Sequence, residues 1–403
     1  MHERQWRKEA DPLSIRKKVE QRTKKIGNKA MRRITEHVNQ LKQMYSIENG
    51  RFQGEEGWKK FPFFWFLLFL SYKCTKRCQY CYSFNQAGDD TQMEMDDDAF
   101  ARLLEWIPEV WKMNNIKVNS IGFLGGEPLL RTDRIKQVME AVYKYTDGMQ
   151  GYIYTNGDLV DLIDWDDLED IQWISTNITD TSIEELARRM TVISIRSNVI
   201  NQTIVATLDD FNLNRVLDIT RFGIENGYRL RYNRDLYRGV DVEYKGRLLK
   251  KYHHVCDILE NYIVNGYDVN TTFLIDMLIP SWDLEVTPYP CGKRIANVYP
   301  DGSIGPCIRN HLCKTGTIFD KNPLDKIQSH QFHYDVRKPY LPPECSECEY
   351  KTTCQGGCPH DKMLLTGSAS GKSVMCDIHK EIIPRLRYLE ILKENPAPEA
   401  YNM

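Results

Sequence analysis

The sequence predicts an α/β fold: a partial parallel (β/α)6 barrel, TIM-like in architecture, followed by a small cysteine-rich α+β domain and preceded by a basic helical extension. Three observations predict it. Between residues 58 and 280, short apolar runs alternate with amphipathic helical patterns, the arrangement that builds a parallel sheet covered by helices. Eight of the twelve cysteines fall between Cys291 and Cys376, where helical periodicity fades and Gly and Pro rise. The first 43 residues carry 13 Lys and Arg against 5 Asp and Glu, in a chain whose net charge is −2. The expected units are therefore 1–57, 58–280 and 281–395.

The elements follow in order. Over residues 12–45, Ile15, Val19, Ile26, Ala30, Val38, Leu41 and Tyr45 recur near a 3.6-residue period with basic residues between them, so a helix is expected, interrupted at Gly27-Asn28. The loop from Glu48 to Gly57 reads as a junction. Phe63–Tyr72 is apolar enough for a buried strand. Asp96–Met113 reads as helix and Val118–Leu124 as strand. Arg131–Tyr145 reads as helix and Gly151–Thr155 as strand. Leu159–Leu168 reads as mostly helical, Gln172–Thr176 as strand and Thr181–Met190 as helix. Val192–Ile195 and Thr203–Leu208 read as short strands. Arg215–Asn226 reads as helix, Tyr228–Tyr232 as strand and Tyr244–Val264 as helix, with Cys256 a buried apolar residue within it. Six such units make an incomplete barrel, and right-handed crossovers place its helices outside. Beyond residue 280 the apolar core is small, and metal staples are expected to hold it.

Composition excludes some classes. Hydrophobic residues are 41% and charged residues 27%, which rules out a mostly disordered chain and a multi-span membrane protein. The longest apolar run, Phe61 to Leu70, is far short of the roughly 18–20 residues of a membrane helix. No apolar stretch precedes a cleavage site near Met1, so the cytoplasm is the expected compartment. Disulfides are disfavoured there, and twelve cysteines point instead to metal or cluster ligation. The basic head is either a footprint for nucleic acid or an acidic partner, or a solvated helix surface.

The strand ending at Tyr72 runs into Cys74-Thr75-Lys76-Arg77-Cys78-Gln79-Tyr80-Cys81. Three thiolates on one loop suit three irons of a cubane cluster and leave a fourth iron without a protein ligand. A structural zinc normally takes four protein ligands, and this loop offers three. The loop also follows the first barrel strand, and active sites of parallel barrels sit at the C-terminal strand ends. Cys74, Cys78, Tyr80 and Cys81 resemble the Cys-x3-Cys-x-aromatic-Cys signature of the radical S-adenosylmethionine (radical SAM) superfamily. The second strand ends in Gly125-Gly126-Glu127-Pro128, similar to the Gly-Gly-Glu-Pro motif of that family, and the third in Tyr154-Thr155-Asn156-Gly157. The resemblance implies a [4Fe-4S] cluster whose open iron binds S-adenosylmethionine, with Gly125–Glu127 near the methionyl amine and Tyr80 near the adenine. It implies reductive cleavage to a 5′-deoxyadenosyl radical that removes hydrogen from carbon, with electrons from a partner such as flavodoxin or ferredoxin. Glycines are expected where backbone must approach a ligand. Ser175 and Asn177 end the fourth strand as further candidates for the pocket. Arg229, Arg231 and Asn233 share one face of the last strand. If that face is the lumen, the arginines would hold the S-adenosylmethionine carboxylate or an anionic substrate; if it faces outward, they pair with acidic helices.

The second cysteine group reads Cys291, Cys307, Cys345-x2-Cys348-x5-Cys354-x3-Cys358 and Cys376, with a hairpin at Val298–Ile304 turning on Asp301-Gly302. This resembles the SPASM extension of radical SAM enzymes. The resemblance implies two auxiliary iron–sulfur clusters. Cys345, Cys348, Cys354 and Cys376 would hold the distal one, and Cys291, Cys307 and Cys358 the one nearer the barrel. Where many relatives have another ligand this chain has Asn297, so either Cys313 supplies it or that iron keeps an open site. Two structural zincs are the alternative for these residues.

For the substrate, three classes are expected. The first is a peptide or protein, as for many enzymes with this extension. The second is a nucleobase, for example hypermodified thymidine in phage DNA, reached through the basic N-terminus. The third is a small metabolite. No membrane partner is expected.

Overall fold

The alternation of apolar runs and helical patterns does produce alternating strands and helices. The computed structural model describes residues 63–83, 91–114, 117–143, 150–235, 241–267, 269, 295–308, 314–321, 323, 343–350, 354, 356–366 and 371–394. The basic extension 1–57, Cys291 and Cys313 lie outside the described residues.

Six parallel strands come first: β1 Phe63–Phe69, β2 Lys117–Leu124, β3 Gln150–Thr155, β4 Ile171–Ile178, β5 Asn201–Leu208 and β6 Arg229–Arg234. Helices α1 Asp97–Asn114, α2 Thr132–Tyr143, α3 Ile183–Arg196, α4 Asp210–Glu225 and α5 Val242–Val264 accompany them. Several helix starts are written locally. Asp96 accepts from the Ala99 amide, Ser182 from Glu185, Asp209 from Asn212 and Asp241 from Tyr244, each satisfying an amide the first turn leaves orphaned. After β1 the chain loops out and returns, so that Met95 and Tyr72 amides donate to the Leu70 and Met93 carbonyls.

Two local expectations are corrected. Val192–Ile195, expected as a strand, is the last part of α3. Leu186, Met190 and Ile193 are buried along one face of that helix, and the helical period outweighs the β-branched residues. Leu159–Leu168, expected as mostly helical, is turns plus a single 3₁₀ turn at Trp165–Leu168. Its four aspartates, Asp161, Asp164, Asp166 and Asp167, favour such local turns, and Asp164 caps the 3₁₀ turn from the Asp166 amide.

The sheet continues past the barrel strands. Its order is β6-β5-β4-β3-β2-β1-β7-β8-β9. Strand β7, Ile295–Val298, lies parallel to β1, with Trp65 opposite Ile295. Strands β8, Ser303–Gly305, and β9, Gly316–Thr317, follow as an antiparallel meander. Asp301-Gly302 makes the turn between β7 and β8: Gly302 has φ +72°, and Asp301 accepts from the Ser303 amide. Asn297 is buried on β7 and donates to the Gly305 carbonyl across the hairpin. Beyond lie a helical turn at Pro343–Ser346, α6 Pro359–Thr366 and α7 Cys376–Glu394.

Strand alternation decides which side chains meet the helices. Phe66, Leu68, Ile121, Phe123, Ile153 and Ile174 form a core with Leu103, Trp106 and Val138 of α1 and α2. Ile204, Ala206, Leu230 and Tyr232 form a second with α4, α5 and α7, which places the C-terminal helix against the end of the barrel. Arg385 of α7 pairs with Asp257 at 2.8 Å and Glu260 at 3.2 Å on α5. Each large apolar side chain so buried stabilises the fold by about 1.5–3 kcal/mol. The alternate residues, Leu67, Phe69 and Leu124, face inward with Tyr152, Tyr154 and Tyr299. No helix among the described residues is long and apolar enough to cross a membrane.

Candidate functional site

Cys74, Cys78 and Cys81 sit on the loop that leaves the C-terminal end of β1, all three as free thiols and half-buried. The Cys81 amide donates to the Cys78 carbonyl at 3.1 Å, which folds the loop back on itself. Burial and the neighbouring Cys81 push the Cys78 thiol up to about 11. Burial likewise pushes Cys74 up, while hydrogen bonds from the Lys76 amide and the Asn156 side chain oppose the rise. The raised Cys74 and Cys78 thiols are ones that a bound cation would deprotonate.

The loop is tied to the ends of the next three strands. The Asn156 amide group, just past β3, donates to Thr75 Oγ1 at 2.9 Å and lies 3.6 Å from Cys74 Sγ. Thr75 donates to Asp158 at 3.1 Å. Lys76 lies 3.6 Å from Asp158 and 2.9 Å from Asp180, beyond β4. The Lys76 ammonium holds the Asp180 carboxyl below its usual range. Asp180 has φ +32°, the one non-glycine residue in positive φ among the described residues. Arg189 of α3 closes the ring on Asp158 at 2.8 Å and donates to the Asn156 carbonyl at 2.8 Å. Motif spacing missed Lys76, Asp158, Asp180 and Arg189. Their sequence signal is only a charge, on the cysteine loop for Lys76, just past β3 and β4 for Asp158 and Asp180, and within a helix for Arg189.

The Gly125-Gly126-Glu127-Pro128 segment, at the end of β2, lies directly against the strand that leads to Cys74. The Gly126 amide donates to the Ser71 carbonyl and the Glu127 amide to the Lys73 carbonyl. A Cβ on Gly126 would sit 1.9 Å from the Lys73 carbonyl oxygen, and one on Gly125, at φ +124°, 2.3 Å from that of Ser71. The immediate need for glycine here is thus backbone packed on backbone, where the sequence suggested close approach to a ligand. Glu127 is fully buried. Its carboxylate accepts from the Leu129 amide at 3.1 Å, Thr155 Oγ1 at 2.7 Å and the Asn156 amide at 2.8 Å. Burial pushes this carboxyl up to about 7 against those three donors. Pro128 opens the 3₁₀ turn that follows.

Further into the barrel, the face of β6 is decided. Leu230 and Tyr232 pack against the helices, so Arg229, Arg231 and Asn233 line the inner face. Arg231 donates to the Tyr154 hydroxyl at 3.0 Å. The Arg229 guanidinium lies 4.5 Å from the centre of the Trp173 ring, a cation–π contact. Ser175 and Asn177 on β4 alternate with the outward Ile174 and Ile178 and face the same interior. The Asn177 Oδ1 atom is buried without a hydrogen-bond partner. Tyr80 lies beside Cys78, and burial raises its phenol far above the usual value.

The second cysteine group gathers beyond the meander. Cys345, Cys348, Cys354, Cys358 and Cys376 are half-buried free thiols, and Cys307 is buried. Burial raises Cys345, and the nearby Cys376 and Cys348 raise it further. Cys354 is pushed up to about 11, first by burial, with Cys376 and Cys345 adding to the rise. Cys345, Cys348, Cys354 and Cys376 therefore form one electrostatic group. Tyr299 donates to the Cys307 carbonyl at 2.6 Å and fixes that residue to the hairpin.

Residues 68–216 match the model of the Radical SAM superfamily. Over 337 residues the chain is 24% identical to the PqqA peptide cyclase of Xanthomonas oryzae pv. oryzae (strain MAFF 311018), covering 77% of this chain and 87% of that protein. The solved structure of native anSMEcpe with bound AdoMet superposes with a TM-score of 0.67 at 17% identity, covering 83% of this chain and all of that one (100%). The same protein with bound AdoMet and Cp18Cys peptide gives 0.65 at 17% identity and the same coverage, 83% and 100%.

Proposed function

The chain is an enzyme of the radical SAM type, and on that premise we propose that it abstracts a hydrogen atom from a C–H bond of a peptide substrate. The placement of Cys74, Cys78 and Cys81 as free thiols on the one loop leaving β1 carries the reading. Their donor set fits a cubane iron–sulfur cluster: three soft thiols, none in a disulfide, on a loop anchored at three strand ends. Cys74, Cys78 and Cys81 would hold such a cluster, and it would supply the electron for reductive cleavage of S-adenosylmethionine.

The protein's own share is orientation. The amides of Gly126 and Glu127 are already spent on Ser71 and Lys73, so what this segment offers a ligand is carbonyl oxygen, suited to an ammonium donor. Asn177 Oδ1 is a further buried acceptor waiting for a donor. Arg229 and Arg231 would take a carboxylate, from S-adenosylmethionine or from substrate. Among the described residues β6 and β9 end the sheet without pairing to each other. An unclosed lumen of this kind admits an extended chain. The relatives support the choice of a peptide: one is named for acting on a peptide, and a neighbour of the same fold is solved with one bound.

For the cysteines beyond the barrel, the same reading assigns one auxiliary cluster to Cys345, Cys348, Cys354 and Cys376. Cys307 and Cys358 belong to a second, together with Cys291. Anaerobically reconstituted protein is expected to contain iron and sulfide for about three cubanes per chain. With dithionite and S-adenosylmethionine it is expected to release 5′-deoxyadenosine, and a substrate peptide deuterated at the reacting carbon is expected to transfer deuterium into it. Replacing Cys74, Cys78 and Cys81 together by Ala should abolish that release. Persistent turnover in the triple variant, read by chromatography, rules the loop out; deuterium transfer from a nucleotide instead of a peptide moves the substrate to a different class.

A further inference from the structure

His379 is almost completely buried, at 3% exposure, although it is a titratable side chain on the terminal helix α7. It stands one turn after Cys376, on the same face of the helix. Its Nδ1 atom lies 3.2 Å from Cys354 Sγ. Two of the four cysteines grouped above thus flank one imidazole, one through the helix and one through a direct contact. A buried lysine lies near the group as well. Lys362 of α6, at 3% exposure, donates to the Gly371 carbonyl at 3.0 Å.

We infer that His379 is a positioning residue for electron transfer: it donates its Nδ1 proton to Cys354 Sγ and thereby raises the reduction potential of the cluster held by Cys345, Cys348, Cys354 and Cys376. The inference rests on the auxiliary-cluster reading above. A thiolate bound to iron has no proton to give, so the contact is a hydrogen bond only if the imidazole is the donor. That fixes the tautomer with hydrogen on Nδ1. One-electron reduction adds one negative charge to a cluster already carrying four thiolates. A donor aimed at one sulfur stabilises the more negative state, and hydrogen bonds to sulfur are among the levers that set such potentials. The direct contact and the burial make this donor effective, because a hydrogen bond to a charged acceptor strengthens where water is excluded.

The test compares three variants of the full-length, reconstituted protein. His379→Asn places an amide N–H near the position of Nδ1, His379→Gln places one nearer Nε2, and His379→Leu has no donor. Each is titrated with dithionite and followed by electron paramagnetic resonance of the auxiliary signal. The Leu and Gln variants are expected to favour reduction about tenfold less than the parent, roughly 59 mV lower for one electron. The Asn variant is expected to stay close to the parent. Proton double resonance on the reduced parent should show an exchangeable proton coupled to the cluster that vanishes in D2O and in the Leu and Gln variants. The proposal is overturned if all variants keep the parental potential and the coupled proton, or if Asn and Gln shift equally. Should the Leu variant not load, the Asn and Gln pair still decides. A parent protein whose iron and sulfide account for the first cluster only would refute the auxiliary-cluster reading itself, and that count is made before any variant is compared.

Discussion

Glu127 is buried with three hydrogen-bond donors aimed at it, and the outcome is a carboxyl poised at about 7. In the unfolded chain it ionises near 4.5. As pH rises from 4.5, the unfolded state gives up its proton first, so this group's contribution to stability falls progressively until about pH 7 and is level above that. Glu127→Gln removes this slope. It also places an amide donor where the Asn156 or Leu129 amide already donates, at a cost of about 1–3 kcal/mol for the unsatisfied pair. Urea midpoints at pH 5 and pH 8 check both statements: the difference between the two pH values should shrink in the variant, and at pH 5, where the native carboxyl is still mostly protonated, the variant should be the less stable. The motif around Glu127 was legible in the sequence, but its tie to Thr155 and Asn156 was not. Nothing in a strand-end motif says which neighbouring strand its side chain will reach. The same holds for Asp180 and Arg189, whose partners lie on other elements.

At the scale of elements, strands and helices were legible wherever one period ran long enough to dominate. Helix α3 is the instructive case. Val192–Ile195 carries strand-forming residues, yet the burial of Leu186, Met190 and Ile193 continues the 3.6-residue period started by the Ser182 cap. Ser182→Ala should therefore cost about 1 kcal/mol, the usual worth of such a cap, read as a lower urea midpoint with unchanged slope. The hairpin turn at Asp301-Gly302 was also visible in the sequence, because its chemistry is local. The partner of that hairpin was not. Pairing of β7 with β1 depends on the assembly of the whole sheet and has no local pattern.

At the scale of the whole molecule, the hairpin and the last helix pack onto the barrel strands. The inner side chains Leu67, Phe69 and Leu124 pack with Tyr299 of the hairpin, and α7 covers the second core from the far end of the chain. Ending the chain after residue 290 removes β7, α7 and Tyr299 together. It would leave the edge of β1 unpaired, an open template for another chain. That truncated protein is expected to elute as aggregate on size-exclusion chromatography, where the full chain elutes as a defined species. A monomeric, well-dispersed truncation would show instead that the first six strands suffice.

The register of β1 against β7 also orders events in time. Trp65 meets Ile295 across roughly 230 residues of intervening chain, and such distant partners make for slow closure. During synthesis, the loop bearing Cys74, Cys78 and Cys81 leaves the ribosome long before the segment that flanks its strand. Its sulfurs spend that interval beside an unfinished sheet, within reach of oxidants and of iron delivery alike.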